Sequence, residues 1–209
     1  MNELVAIEQA EYVKKWCREY CFGILIGIIF AVFISWGWNY WRQAKENNLL
    51  KASMQYERLI AAITTSENTV ILNKLAEGLL KNYPYTPYAS LAALQLAKLA
   101  INQNNLSDAE NRLLWVIDHG HNHALQSIAR LRLVRILLAQ NQAKEALSIL
   151  AKNEDKNYLP IFLEEKGDIL NNLGHSKEAL QSYLAAKRAF GNTIGRPLLE
   201  MKINNLAYV

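Results

Sequence analysis

Residues 20–41 form a run of 22 residues without a charge, lying between Glu19 and Arg42. No other feature constrains the chain so strongly. As a helix rising 1.5 Å per residue, such a run spans about 33 Å, enough for the roughly 30 Å hydrocarbon core of a bilayer. The expectation is therefore a single transmembrane helix over 20–41. Trp36, Trp38, Tyr40 and Trp41 gather at one end of the run and Tyr12, Trp16 and Tyr20 at the other, as two interfacial belts would. Gly23, Gly27, Ala31 and Ser35 recur at every fourth position, giving one helix face on which a second helix can approach closely. The apolar stretch is too long for a removable leader and no small-x-small site follows it, so the helix is expected to remain as an anchor.

Orientation is weakly written. Lys14, Lys15 and Arg18 precede the run, while Arg42 and Lys45 follow it. Both cysteines, Cys17 and Cys21, lie before or at its start, which suits a thiol-free domain in an oxidising compartment. The expected arrangement is a cytoplasmic segment over 1–19, the membrane helix over 20–41 and a periplasmic domain over 42–209.

The periodicity after Arg42 is helical throughout. Helices are expected over 42–65, continuing the anchor, and then over 70–82, 88–103, 107–119, 124–140, 143–152, 160–173, 176–190 and 197–206. Pro160 and Pro197 suit first turns, and Gly120, Gly174 and Gly191 suit helix ends. Nine glycines and four prolines are too few for the turns of a β-sandwich.

The later helices repeat. The segments beginning at Ser107, Ala143 and Ser176 align through Ala109, Ala146 and Ala179, spaced 37 and 33 residues apart. That spacing brackets the 34-residue tetratricopeptide period. Twelve residues before each alanine stands Ala97, Val134 or Gly167, where paired helices would touch. Five before stands Asn104, Asn141 or Gly174, in the turn. The fold class is thus all-α: one transmembrane helix followed by a tetratricopeptide-like α-solenoid, with the helices over 42–82 and 197–206 as caps.

In such arrays the first helix of each pair lines a concave groove. Carried onto this chain, that geometry places Leu91, Leu94, Lys98 and Ile101, then Leu131, Arg135 and Leu138, then Glu164, Asp168 and Asn171 along a partner-binding surface. Its floor would be apolar at one end and acidic at the other. An extended or helical partner segment would fit it.

Enzymatic motifs are missing: there is no phosphate-binding glycine loop, nucleophile elbow, Cys-x-x-Cys pair or zinc-protease helix. No catalytic residue or cofactor is expected. His119, His121 and His123 form an alternative metal-binding reading, set against a solvated turn. After residue 41 there are 20 Lys/Arg against 15 Asp/Glu, dispersed and without an aromatic-interleaved stripe, so nucleic acid is not an expected partner.

From about Glu8 to Leu206 the chain resembles the ancillary-subunit family of the bacterial Sec translocon, the YfgM type. The resemblance rests on Val13-Lys14-Lys15-Trp16, on Gly37-Trp38-Asn39-Tyr40-Trp41 at the anchor's exit, and on the closing Met201-Lys202-Ile203-Asn204-Asn205-Leu206. It implies an inner-membrane protein with a periplasmic tetratricopeptide-like domain. It also implies association with Sec translocon subunits and with a membrane-anchored periplasmic chaperone of the peptidyl-prolyl isomerase type, assisting polypeptides as they emerge. Rival readings are a repeat scaffold of another envelope complex, in cell-wall assembly or signalling, and an adaptor facing the cytoplasm.

Overall fold

The computed structural model describes residues 2–65, 68–152, 155–191 and 196–207, with side chains from residue 26 onward. Among these residues the only regular elements are α-helices: α1 (Asn2–Thr64), α2 (Thr69–Asn82), α3 (Pro87–Asn102), α4 (Leu106–His119), α5 (His123–Ala139), α6 (Ala143–Ala151), α7 (Leu159–Asn172), α8 (Ser176–Phe190) and α9 (Pro197–Ala207). The chain divides into two compact units, residues 1–50 and residues 51–209.

In the first unit the described side chains, residues 26–50, are all exposed. Ile28, Ile29, Phe30, Val32, Phe33, Ile34, Trp36, Trp38 and Trp41 point outward around the whole helix. No helix among the described residues is long and apolar enough to cross a membrane. Of the expected span, the 16 residues 26–41 have described side chains, about 24 Å of helix. The side chains of 20–25, Gly23 and Cys21 among them, lie outside the described residues, as does that of Cys17.

The second unit is built from three like pairs, α3 with α4, α5 with α6 and α7 with α8. Their first helices begin at residues 87, 123 and 159, a regular 36 apart. The same reversal closes every pair. Asn104, Asn141 and Gly174 take left-handed backbone, with φ of 60°, 61° and 80°. In each turn the following amide reaches back to the carbonyl five residues earlier: Asn105 N to Ala100 O at 2.8 Å, Gln142 N to Leu137 O at 2.8 Å, and His175 N to Leu170 O at 2.9 Å. This is a Schellman closure, which satisfies carbonyls that a helix end would otherwise orphan.

The small residues expected at the helix crossings are there. Ala97, Val134, Ala109, Ala146 and Ala179 are buried. At Gly167 the approach is closest, since a Cβ there would land on the Tyr183 ring. Pro160 sits in the first turn of α7, Pro197 opens α9, and Pro87 opens α3. The Asn105 side chain accepts from Asp108 N at 3.2 Å and Asn122 from Ala124 N at 2.9 Å, capping α4 and α5.

Each pair has an apolar face it cannot bury alone, so the pairs stack. One core runs from Ala52, Leu59 and Ala62 of α1 through α2 to Ile169 of α7. Tyr56 meets Tyr88 of α3 with ring centroids 5.7 Å apart. A second, smaller core joins Leu170, Ala179, Tyr183 and Ala186 to Leu199 and Ile203 of α9. The helices flanking the repeats therefore contribute core residues at both ends, α2 against α3 and α9 against α8.

Glycine substitutions should report these contacts separately. Gly167→Ala is expected to cost about 1–3 kcal/mol through overpacking on Tyr183. Gly78→Ala, in α2 with open space around its Cβ, should be neutral or stabilise by up to about 1 kcal/mol. Urea denaturation of the two full-length variants in detergent measures both.

Candidate functional site

The first helices α3, α5 and α7 lie side by side, so their outward residues form one shared face. Counting back from the three equivalent turn residues aligns them in rows. Leu91, Ile128 and Ile161 form an apolar row. Next come Leu94, Leu131 and Glu164, then Gln95, Arg132 and Glu165, and then Lys98, Arg135 and Asp168.

These rows divide the residues expected to bind a partner. Leu94, Leu131 and Glu164 are buried. Leu91, Leu138 and Asp168 are half-buried, while Lys98, Ile101, Arg135 and Asn171 are exposed. The row that accompanies the exposed one is Gln95, Arg132 and Glu165, which the groove reading passed over. Its signal was available: a polar residue stands at the same repeat position in all three copies.

The acidic end is already engaged by the chain's own cations. Arg135 donates to Glu165 Oε1 through Nη2 at 2.6 Å and Nε at 3.1 Å. Lys202 of α9 donates to Glu164 at 3.1 Å and to Asp168 at 2.8 Å. Arg196 meets the other Glu164 oxygen at 3.0 Å. Tyr183 OH donates to Asp168 Oδ1 at 2.7 Å, and the Lys202 ammonium lies 5.7 Å from the Tyr183 ring centroid. Arg196 also covers the Phe190 ring, 4.2 Å from its centroid. The Glu164 side chain is only 9% exposed. Leaving that carboxylate without its cations would be costly, because a buried charge keeps most of its desolvation penalty when its partner goes.

Other expected features have plain geometry. Gly27, Ala31 and Ser35 are exposed, and a Cβ on Gly27 would meet nothing within 4 Å. In the histidine turn, His119 Nδ1 donates to the Trp115 carbonyl at 3.1 Å and the ring stacks on Trp115. His121 Nδ1 donates to the His119 carbonyl at 3.0 Å, and its ring meets Tyr85 edge-on. Among the described residues no three His, Cys, Asp or Glu side chains gather as a metal site would require. The alternative metal reading of His119, His121 and His123 thus has no clustered ligand set there.

Burial pushes the Tyr183 phenol well above its ordinary value, and the bond to Asp168 adds to the shift. Burial alone would lower the Lys202 ammonium, but its bonds to Asp168 and Glu164 outweigh this and raise it. Both groups hold their protons more tightly folded than unfolded. Their contribution is therefore complete below the ordinary values, 10.0 and 10.5, and is lost as pH climbs toward the folded ones. Denaturation between pH 8 and 11 should show stability falling above about pH 10, and Tyr183→Phe should flatten that fall. Lys202→Met should cost about 1–3 kcal/mol at pH 8. That is less than the roughly 3–5 kcal/mol of a fully buried pair, because Lys202 is partly solvated and Arg196 stays on Glu164.

Similar sequences match this chain over nearly its whole length. An "Ancillary SecYEG translocon subunit" of Haemophilus influenzae is 29% identical over 201 residues, covering 95% of this chain and 96% of its own. The protein of that name in Escherichia coli is 26% identical over 200 residues, covering 96% of each. In Neisseria gonorrhoeae it is 24% identical over 207 residues, covering 99% and 98%. Residues 14–208 match the tetratricopeptide repeat-like domain family, nearly the whole described chain, and the chain belongs to that family.

Proposed function

We propose that this is a non-catalytic, membrane-anchored interaction protein of the Sec translocon. One observation carries the reading: the similarity to ancillary translocon subunits runs through the apolar helix and the repeat domain together, over about 95% of both chains. A shared repeat domain alone would speak only for a binding fold.

The physical chemistry is consistent with that role. A helix that exposes Ile, Phe, Val and Trp side chains around its circumference suits lipid. In this reading residues 20–41 cross the inner membrane once, with 1–19 cytoplasmic and 42–209 periplasmic. The Gly23, Gly27, Ala31 and Ser35 face docks against a helix of the translocon or of a membrane-anchored chaperone. The repeat domain, tethered near the channel exit, works at high effective concentration, so weak contacts to emerging chains or to the chaperone suffice. The chaperone partner, of the peptidyl-prolyl isomerase type, follows from the family resemblance.

Crosslinking in intact membranes tests this. Sec subunits and a periplasmic chaperone should be captured, and protease added to spheroplasts should digest the domain. Capture of another envelope complex alone, or protection of the domain, would contradict the proposal. Gly27→Leu combined with Ala31→Leu should weaken capture by about 1 kcal/mol, roughly fivefold.

A further inference from the structure

The shared face is neutralised at one end only. Helix α7 supplies Glu164, Glu165 and Asp168, and these are matched by Arg135, Arg196 and Lys202. Helices α3 and α5 contain no Asp or Glu at all. They nevertheless present Lys98 and Arg132 on exposed positions of that face. Among the described residues neither cation has a carboxylate partner. Arg132 makes only a long contact, 3.5 Å, to the Leu94 carbonyl of α3. Beside them run half-buried Leu91 and Ile128 and the amide of Gln95.

From this arrangement we infer that the α3–α5 part of the face takes an extended polypeptide segment carrying acidic side chains. Carboxylates on the segment meet Lys98 and Arg132, and an intervening apolar side chain covers Leu91 and Ile128. The two cations stand on different helices, so two carboxylates along a chain suit them better than a single terminal one. The end of the face at α7 is closed to the same segment, both by its own acids and by the α9 cations on them. The position of the segment is thereby set by charge. The inference rests on the reading that this domain holds partner segments, and it names their chemistry.

The test uses full-length protein in nanodiscs and a fluorescein-labelled peptide of alternating apolar and glutamate residues with an amidated C-terminus. Its glutamine isostere and a single-stranded oligonucleotide serve as comparisons. The acidic peptide should bind, weaken with salt, and lose affinity about tenfold or more in K98Q/R132Q, whereas K144Q, at an exposed position of α6, should bind normally. Circular dichroism confirms that each variant is folded. Equal binding of the glutamine isostere, equal binding of the oligonucleotide, or an unaffected K98Q/R132Q would each overturn the inference. Such a result with Sec capture intact in membranes leaves the translocon reading standing, while loss of Sec capture with acidic-peptide binding intact contradicts that reading alone.

Discussion

The second unit depends on one backbone constraint, the reversal within each helix pair. A left-handed residue at Asn104, Asn141 and Gly174 lets the next amide close onto a carbonyl five residues back. Glycine adopts this conformation without penalty, and asparagine tolerates it better than other side chains do. Because the closure is the same each time, the two helices of each pair leave the turn in the same relation. Their small contact residues then meet, and successive first helices fall side by side. A β-branched residue at any of the three positions would oppose that geometry, and the pair would lose the alignment its neighbour needs for burial.

Stacking creates two ends, and the chain treats them differently. At the first, Ala52, Leu59 and Ala62 of α1 supply apolar cover continuous with the main core. At the last, cover is apolar and ionic together. Leu199 and Ile203 complete a small core against α8, while Lys202 and Arg196 neutralise carboxylates on α7. A solenoid needs such terminal units to keep its last repeat in solution. The ionic part neutralises the α7 end of the shared face, while Lys98 and Arg132 of the first two repeats stay exposed to solvent.

Much of this was legible in the residues. The register of Ala109, Ala146 and Ala179 carries the period, and it places the turns at 104, 141 and 174, where the backbone is left-handed. Pro160 and Pro197 marked helix starts. The choice between adjacent rows was harder to read. Leu94 and Leu131 are as apolar as Leu91 and Ile128, and three residues along a helix leave the two rows only about 60° apart around its axis, which hydrophobicity alone does not resolve. The partners of Glu164 and Asp168 were hidden for another reason. Lys202 lies 38 and 34 residues away from them, and no local pattern reports a pairing over that separation. The closing hexapeptide, residues 201–206, lies within α9. Its Lys202 and Ile203 now have a physical reason, one binding carboxylates and the other filling the core beneath.

We propose that this chain works by holding other polypeptides on the shared face of its first helices. Site-specific photocrosslinking during translocation tests that most directly, with the probe placed at Gln95 on that face or at Lys144 on α6. Adducts with translocon, chaperone or emerging chain are expected from position 95 and few or none from position 144. Equal labelling from the two positions, or adducts from position 144 alone, would contradict it.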